Sequence, residues 1–121
     1  GEEIVLESYK NAKDKRLIII DRNESLGREL VSGVLSGLPE PIYAVLYRHD
    51  HKTWQLLAIS ESSTTFKLRK PLPESWRAQR DLDLDKATGV DGGIFCHRSG
   101  FMCVTDSKEN AIKLAEIALN A

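Results

Sequence analysis

Cysteine is almost missing from this chain of 121 residues: Cys96 and Cys103 are the only two. That is too few for a disulfide-stapled secreted scaffold, and the N-terminus shows no secretory pattern of basic and then apolar residues. Both observations point to a reducing, intracellular setting, in the first instance cytoplasmic. Gly1 in place of methionine suggests a tag remnant or an excised fragment, which leaves a nuclear or mitochondrial parent open. A charge surplus is missing too: the formal net charge is -1, so attraction to nucleic acid would have to come from a local cluster. No apolar run approaches the roughly 20 residues that span a bilayer, which speaks against a membrane protein of the helical kind. Internal repeats, low-complexity tracts and linkers are absent. So are the P-loop, the dinucleotide fingerprint and the nucleophile elbow, because Gly89, Gly92 and Gly93 follow no strand-to-helix pattern of the required kind.

What remains is ordinary globular material, 41% hydrophobic and 29% charged, long enough to bury a core as one domain over residues 1–121. Glu3 to Ser8 alternates loosely and Arg16 to Asp21 is a short β-branched run, so both read as strands. Asn23 or Ser25 can cap a helix carrying Leu26, Leu30, Val31, Val34, Leu35 and Leu38, ended by Gly37 and the prolines after it. Ile42 to Arg48 and Thr53 to Ser60 form a hairpin around a four-residue polar connection, and a weaker strand follows near Thr64 to Leu68. Pro71 and Pro73 break it. A helix is then expected from Glu74 and Ser75 through Trp76, Leu82 and Leu84 to a stop at Gly89. Gly92 to Asp106 reads as two strands around Ser99 and Gly100. The last element has Asp106 or Ser107 as cap and Ala111, Leu114, Ala115 and Ala118 along one helix face. This order implies an α+β fold, a mixed and largely antiparallel sheet of about six strands with three helices packed on it.

Few residues suggest chemistry. His49, Asp50 and His51 could ligate a metal, but they fall at a hairpin tip with no further ligand nearby, and a solvated turn is the simpler reading. Cys96 and Cys103 sit opposite each other if the hairpin turns at Ser99 and Gly100, with His97 on the other face, so the three cannot converge on zinc. That register makes the cysteines a hydrogen-bonded pair, too far apart for a disulfide, and two buried free thiols are expected. His97 reads as a satisfied structural residue or a ligand-facing one. Lys67, Arg69, Lys70, Arg77 and Arg80 form the densest basic cluster, around Trp76. On one helix face Arg77 and Arg80 could hold a phosphate, although Asp81, Asp83 and Asp85 can pair with them. Trp76 fits a core anchor better than a base-stacking platform.

The stretch from Arg69 to Phe101, with "RKPLPESWR", then Arg80 and Asp81, then "GGIFCHRSGF", resembles the C-terminal region of the melanocyte-proliferating-gene family. The likeness continues into "KENA" at Lys108 to Ala111 and includes the upstream hairpin "YAVLYRHDHKTWQLLAI". Trp76, Arg77, Arg80, Asp81, His97, Ser99 and Gly100 match as they stand. Met102, Cys103 and Val104 depart, standing where the family has an isoleucine and two glycines. The resemblance implies the DHH phosphoesterase superfamily and metal-dependent 3′ to 5′ exonuclease action on RNA. It implies that this chain is the non-catalytic accessory part, with Arg69, Lys70, Arg77, Arg80, His97, Ser99 and Gly100 on an RNA or phosphate ligand. No cofactor is expected in this chain itself. Manganese or magnesium would belong to a DHH-type catalytic domain, the implied partner, whose acidic motifs are missing here. The competing reading is a protein-interaction module that forms a homodimer through a sheet edge or its last helix.

Overall fold

The computed structural model describes residues 1–22, 26–48 and 52–121. Its element order is α1 (Glu2–Asn11), β1 (Leu17–Ile19), α2 (Arg28–Leu35), β2 (Tyr43–Arg48), β3 (Thr53–Ala58), a 3₁₀ turn (Glu74–Trp76), α3 (Asp81–Thr88), β4 (Gly93–Cys96), β5 (Met102–Thr105) and α4 (Lys108–Leu119). The five strands make one mixed sheet in the order β1-β2-β3-β5-β4. Among the described residues the β1–β2 pair is parallel, and the β2–β3, β3–β5 and β4–β5 pairs are antiparallel. The class is therefore α+β, with five strands and four α-helices among the described residues in place of the expected sheet of about six strands and three helices.

The differences have local causes. Glu3 to Ser8 is helical: Ser8 donates its hydroxyl to the Ile4 carbonyl one turn back, Glu2 and Glu3 sit at the positive helix end and Lys10 at the negative one. A loose alternation over six residues does not separate the two periods when only Val5 is fully buried. The stretch from Thr64 to Leu68 contributes one isolated bridge, Leu68 to Ser60, and no strand. Ser62 and Thr65 hydroxyls accept from the amides of Thr64 and Lys67 and curl the chain locally.

The helix expected from Glu74 is broken in two. After the 3₁₀ turn the backbone is extended at Arg77 and left-handed at Ala78, and α3 starts only at Asp81. In between, Ala78 donates to the Cys96 carbonyl and Cys96 donates to the Gln79 carbonyl, both at 3.0 Å. Pairing with the outer edge of β4 has displaced helix continuation, so Arg77 and Arg80 do not share a helix face. Gly89 ends α3 in the left-handed conformation, as predicted. Asn23 and Ser25, the expected caps of α2, lie outside the described residues, as do His49, Asp50 and His51.

Strand alternation sorts the core onto two faces. On one, Tyr43, Val45, Leu56, Cys96 and Cys103 pack with Trp76, Leu84 of α3 and Ala111, Leu114, Ala115 and Ala118 of α4. On the other, Ile18, Ala44, Leu46 and Leu57 pack under Val5 of α1 and Val31 and Leu35 of α2. Ser107 caps α4, its hydroxyl accepting from the Asn110 amide at 3.1 Å. Trp76, 2% exposed, is the expected core anchor. Among the described residues no helix is long and apolar enough to cross a membrane.

The β4–β5 hairpin also corrects the reading of the cysteines. Cys96 does face Cys103, but the turn runs over four residues: Gly100 donates to the His97 carbonyl and His97 donates to the Met102 carbonyl, both at 2.9 Å. This shifts the hydrogen-bond phase by one position. Both main-chain groups of Cys96 point outward to Ala78 and Gln79, which makes the cysteines a non-hydrogen-bonded pair, the closer kind. Both thiols are free and buried.

Candidate nucleic-acid interface

The basic cluster seen in the sequence is spent mainly on the fold's own carbonyls. Arg69 donates to the carbonyls of Pro41 at 2.6 Å and Ser36 at 2.9 Å, tying the loop after β3 to the end of α2. Lys70 donates to the carbonyls of Leu119 and Ala121 and so closes the C-terminal end of α4. Arg77 uses its Nε on the Leu72 carbonyl at 3.0 Å. These side chains brace the molecule, and the structure does not gather them with Arg80 at one anion site.

Three other predicted residues do come together, at the hairpin turn. His97 Nδ1 lies 2.9 Å from the Ser99 hydroxyl and accepts from the Ser99 amide at 3.1 Å, so the ring is clamped to its own turn. Gly100 has φ +76°, and a Cβ there would lie 2.7 Å from Arg77 Nε. Only glycine supplies that turn without displacing the arginine.

Chain alternation sends Cys96 to the face under α3 and α4 and sends Phe95, His97 and Met102 to the opposite face. On that face His97 stands edge-on to Phe101, with ring centroids 4.7 Å apart. The Arg28 guanidinium lies over Phe101 at 5.4 Å from the ring centre and reaches the Met102 sulfur. Arg80, at the hairpin's outer edge, lies over Phe95 at the same distance. The row continues inward from Phe95 to Val104 and Gln55 on the neighbouring strands. Gln55 is 4% exposed, and its Oε1 has no hydrogen-bond partner among the described residues.

A groove of about 760 Å³ adjoins this face, running between α2, the loop after β3 and the hairpin turn. It is lined by Arg28, Ser32, Ser60, Phe66, Ser99 and Phe101 among others, and Phe66 at its rim is 98% exposed. A second cleft of about 570 Å³ lies between α1, β1 and α4 and contains none of the predicted residues. Arg28, Phe95 and Phe66 were not singled out in the sequence. Arg28 is separated from its sulfur partner by 74 positions, and no local pattern announces such a contact. Among the described residues no three side chains of the metal-ligating types come together. The hairpin thus offers cations placed over rings beside a hydroxyl-lined groove, which suits an anionic, planar ligand.

The model of the family described as MYG1_exonuc, uncharacterised protein family (UPF0160), matches residues 1–119. The chain belongs to this family. A MYG1 protein of Schizosaccharomyces pombe is 34% identical over 99% of this chain and 37% of its own length. The human MYG1 exonuclease is 29% identical over 98% of this chain and 32% of its own, and the mouse MYG1 exonuclease is 36% identical over 62% of this chain. With 37% of the S. pombe protein and 32% of the human one covered, the chain spans about a third of the length of these MYG1 relatives. No solved structure matches.

Proposed function

We propose that this chain is the non-catalytic, single-strand-binding part of a MYG1-type exonuclease, and that RNA lies along the end of the β4–β5 hairpin where Phe95, His97 and Phe101 are half-buried. The observation that carries this reading is the pair of guanidinium–ring stacks on one face, Arg28 on Phe101 and Arg80 on Phe95, with His97 between them. A guanidinium placed over a ring retains N–H donors for a phosphate. Its outer face and the aromatic rings accept a stacked base without regard to sequence. The groove with Ser32, Ser60 and Ser99 extends the track, and Phe66 at the rim supplies an exposed ring.

Hydrolysis is assigned to the part of the relatives that this chain does not span. Manganese or magnesium of the DHH type would on this reading be held there as well. In this reading His97 and Ser99 shape the turn, while Arg69, Lys70 and Arg77 act by bracing.

The test is fluorescence anisotropy of a short labelled single-stranded RNA at low and moderate salt, with an Arg28→Ala, Arg80→Ala double variant beside the parent chain. Salt-dependent binding that drops about tenfold or more in a double variant of unchanged circular dichroism is the expected result. Binding that is absent, or equal in both proteins, overturns the reading. Concentration-dependent sedimentation would then support the interaction-module alternative.

A further inference from the structure

We infer that Cys96 and Cys103 are a disulfide-forming pair, a modification site built across β4 and β5 and operated by a hydroperoxide. The backbone carries the argument. Because Cys96 directs its amide to Gln79 and its carbonyl to Ala78, the two cysteines form a non-hydrogen-bonded antiparallel pair. Such pairs place their Cα atoms about 4.5 Å apart, at the short end of the range a disulfide spans, and bring the side chains closer than the alternative pairing does. Both side chains point into the same cluster under α3 and α4.

The two thiols are not equivalent. The facing Cys103 thiol and then the Arg77 charge favour the thiolate at Cys96 against the cost of burial, while as a thiol Cys96 donates to the His97 carbonyl at 3.8 Å. Cys103 is pushed up by its hydrogen bond with Cys96 and by its burial. Cys96, the one of the two with any exposed surface, is the attacking sulfur and Cys103 the resolving one. Cys96 is 2% exposed and Cys103 is fully buried, which shuts out bulky disulfides and leaves a small hydroperoxide as the oxidant.

In the first step the Cys96 thiolate attacks a peroxide oxygen and the O–O bond breaks. Cys96 becomes a sulfenic acid, and the other oxygen leaves, taking up a proton, as water or an alcohol. In the second step the Cys103 sulfur attacks the Cys96 sulfur, the S–O bond breaks, and the hydroxide departs with the Cys103 proton as water. Two thiols have given two electrons to one peroxide. The cross-link lies at the base of the turn that holds His97, Ser99 and Gly100, so it clamps that turn whatever the turn binds.

The experiment is hydrogen peroxide treatment of the folded chain, followed by thiol alkylation in denaturant and intact-mass measurement. Loss of both alkylation sites with a mass decrease of about 2 Da, reversed by dithiothreitol, is expected. The reaction should run at least about tenfold faster in the folded chain than in urea, because folding sets the pair face to face. In Cys103→Ser the sulfenic acid at Cys96 should persist and be trapped by dimedone. Oxygen addition without the mass decrease, unchanged thiols, disulfide-linked dimers alone, or a rate no faster than in urea would overturn the inference. The wild-type arms decide it even where the variant does not fold.

Discussion

Tyr43 shows how burial of a single ionisable group sets a pH limit on stability. The side chain is fully buried, its hydroxyl reaches the Pro71 carbonyl at 3.5 Å, and burial pushes its pKa to about 12 from an ordinary 10.0. Below about pH 10 the phenol is neutral in both states and its contribution is complete. Between 10 and 12 the unfolded chain loses the proton first, so stability falls, by about 3 kcal/mol for two pKa units. Tyr43→Phe should remove this part of the alkaline decline, seen as a convergence of the two urea midpoints as pH rises through that window. Gln55 makes the opposite case. Its buried Oε1 has no donor among the described residues, so Gln55→Met should raise unfolding free energy by about 1 kcal/mol in a urea titration. A fall would mean that the amide is satisfied. Neither feature is legible from residue type, since Tyr43 and Gln55 each occupy a strand position where either face was open until the sheet was assembled.

At the level of elements, two left-handed glycines separate conformational cost from steric cost. Gly89 has φ +79°, and a Cβ added there would meet nothing within 4 Å, whereas Gly100 has φ +76° and Arg77 in the way. Gly89→Ala should cost about 1 kcal/mol, and Gly100→Ala about 1 kcal/mol more, because Arg77 must also leave its carbonyl. Equal losses in thermal or urea melts would show that Arg77 yields freely. The same elements show what sequence could reveal. The stop at Gly89, the cap at Ser107 and the hairpin of β2 and β3 were legible, because turn and cap chemistry is written in a few adjacent residues. The first helix and the broken segment around Arg77 were not. In the former the period was too short to read, and in the latter the deciding bonds come from Cys96, well along the chain. The candidate site divides in the same way. His97, Ser99 and Gly100 form one local turn and were found together, while Arg28 joins them only through the fold.

On the scale of the whole molecule, the α+β class followed from the run of elements, but the strand order did not. β5 inserts between β3 and β4 and puts the hairpin at the far side of the sheet from β1. That arrangement leaves the two ends of the sheet unlike each other. At one end β1 is only three residues long, and at the other the outward groups of Cys96 are already taken by Ala78 and Gln79. A sheet terminated in this way presents almost no row of open backbone groups on which another extended chain could template itself. The chain should therefore resist fibrillar growth, and contacts with another body would be made by side chains on its faces, where specificity can be encoded.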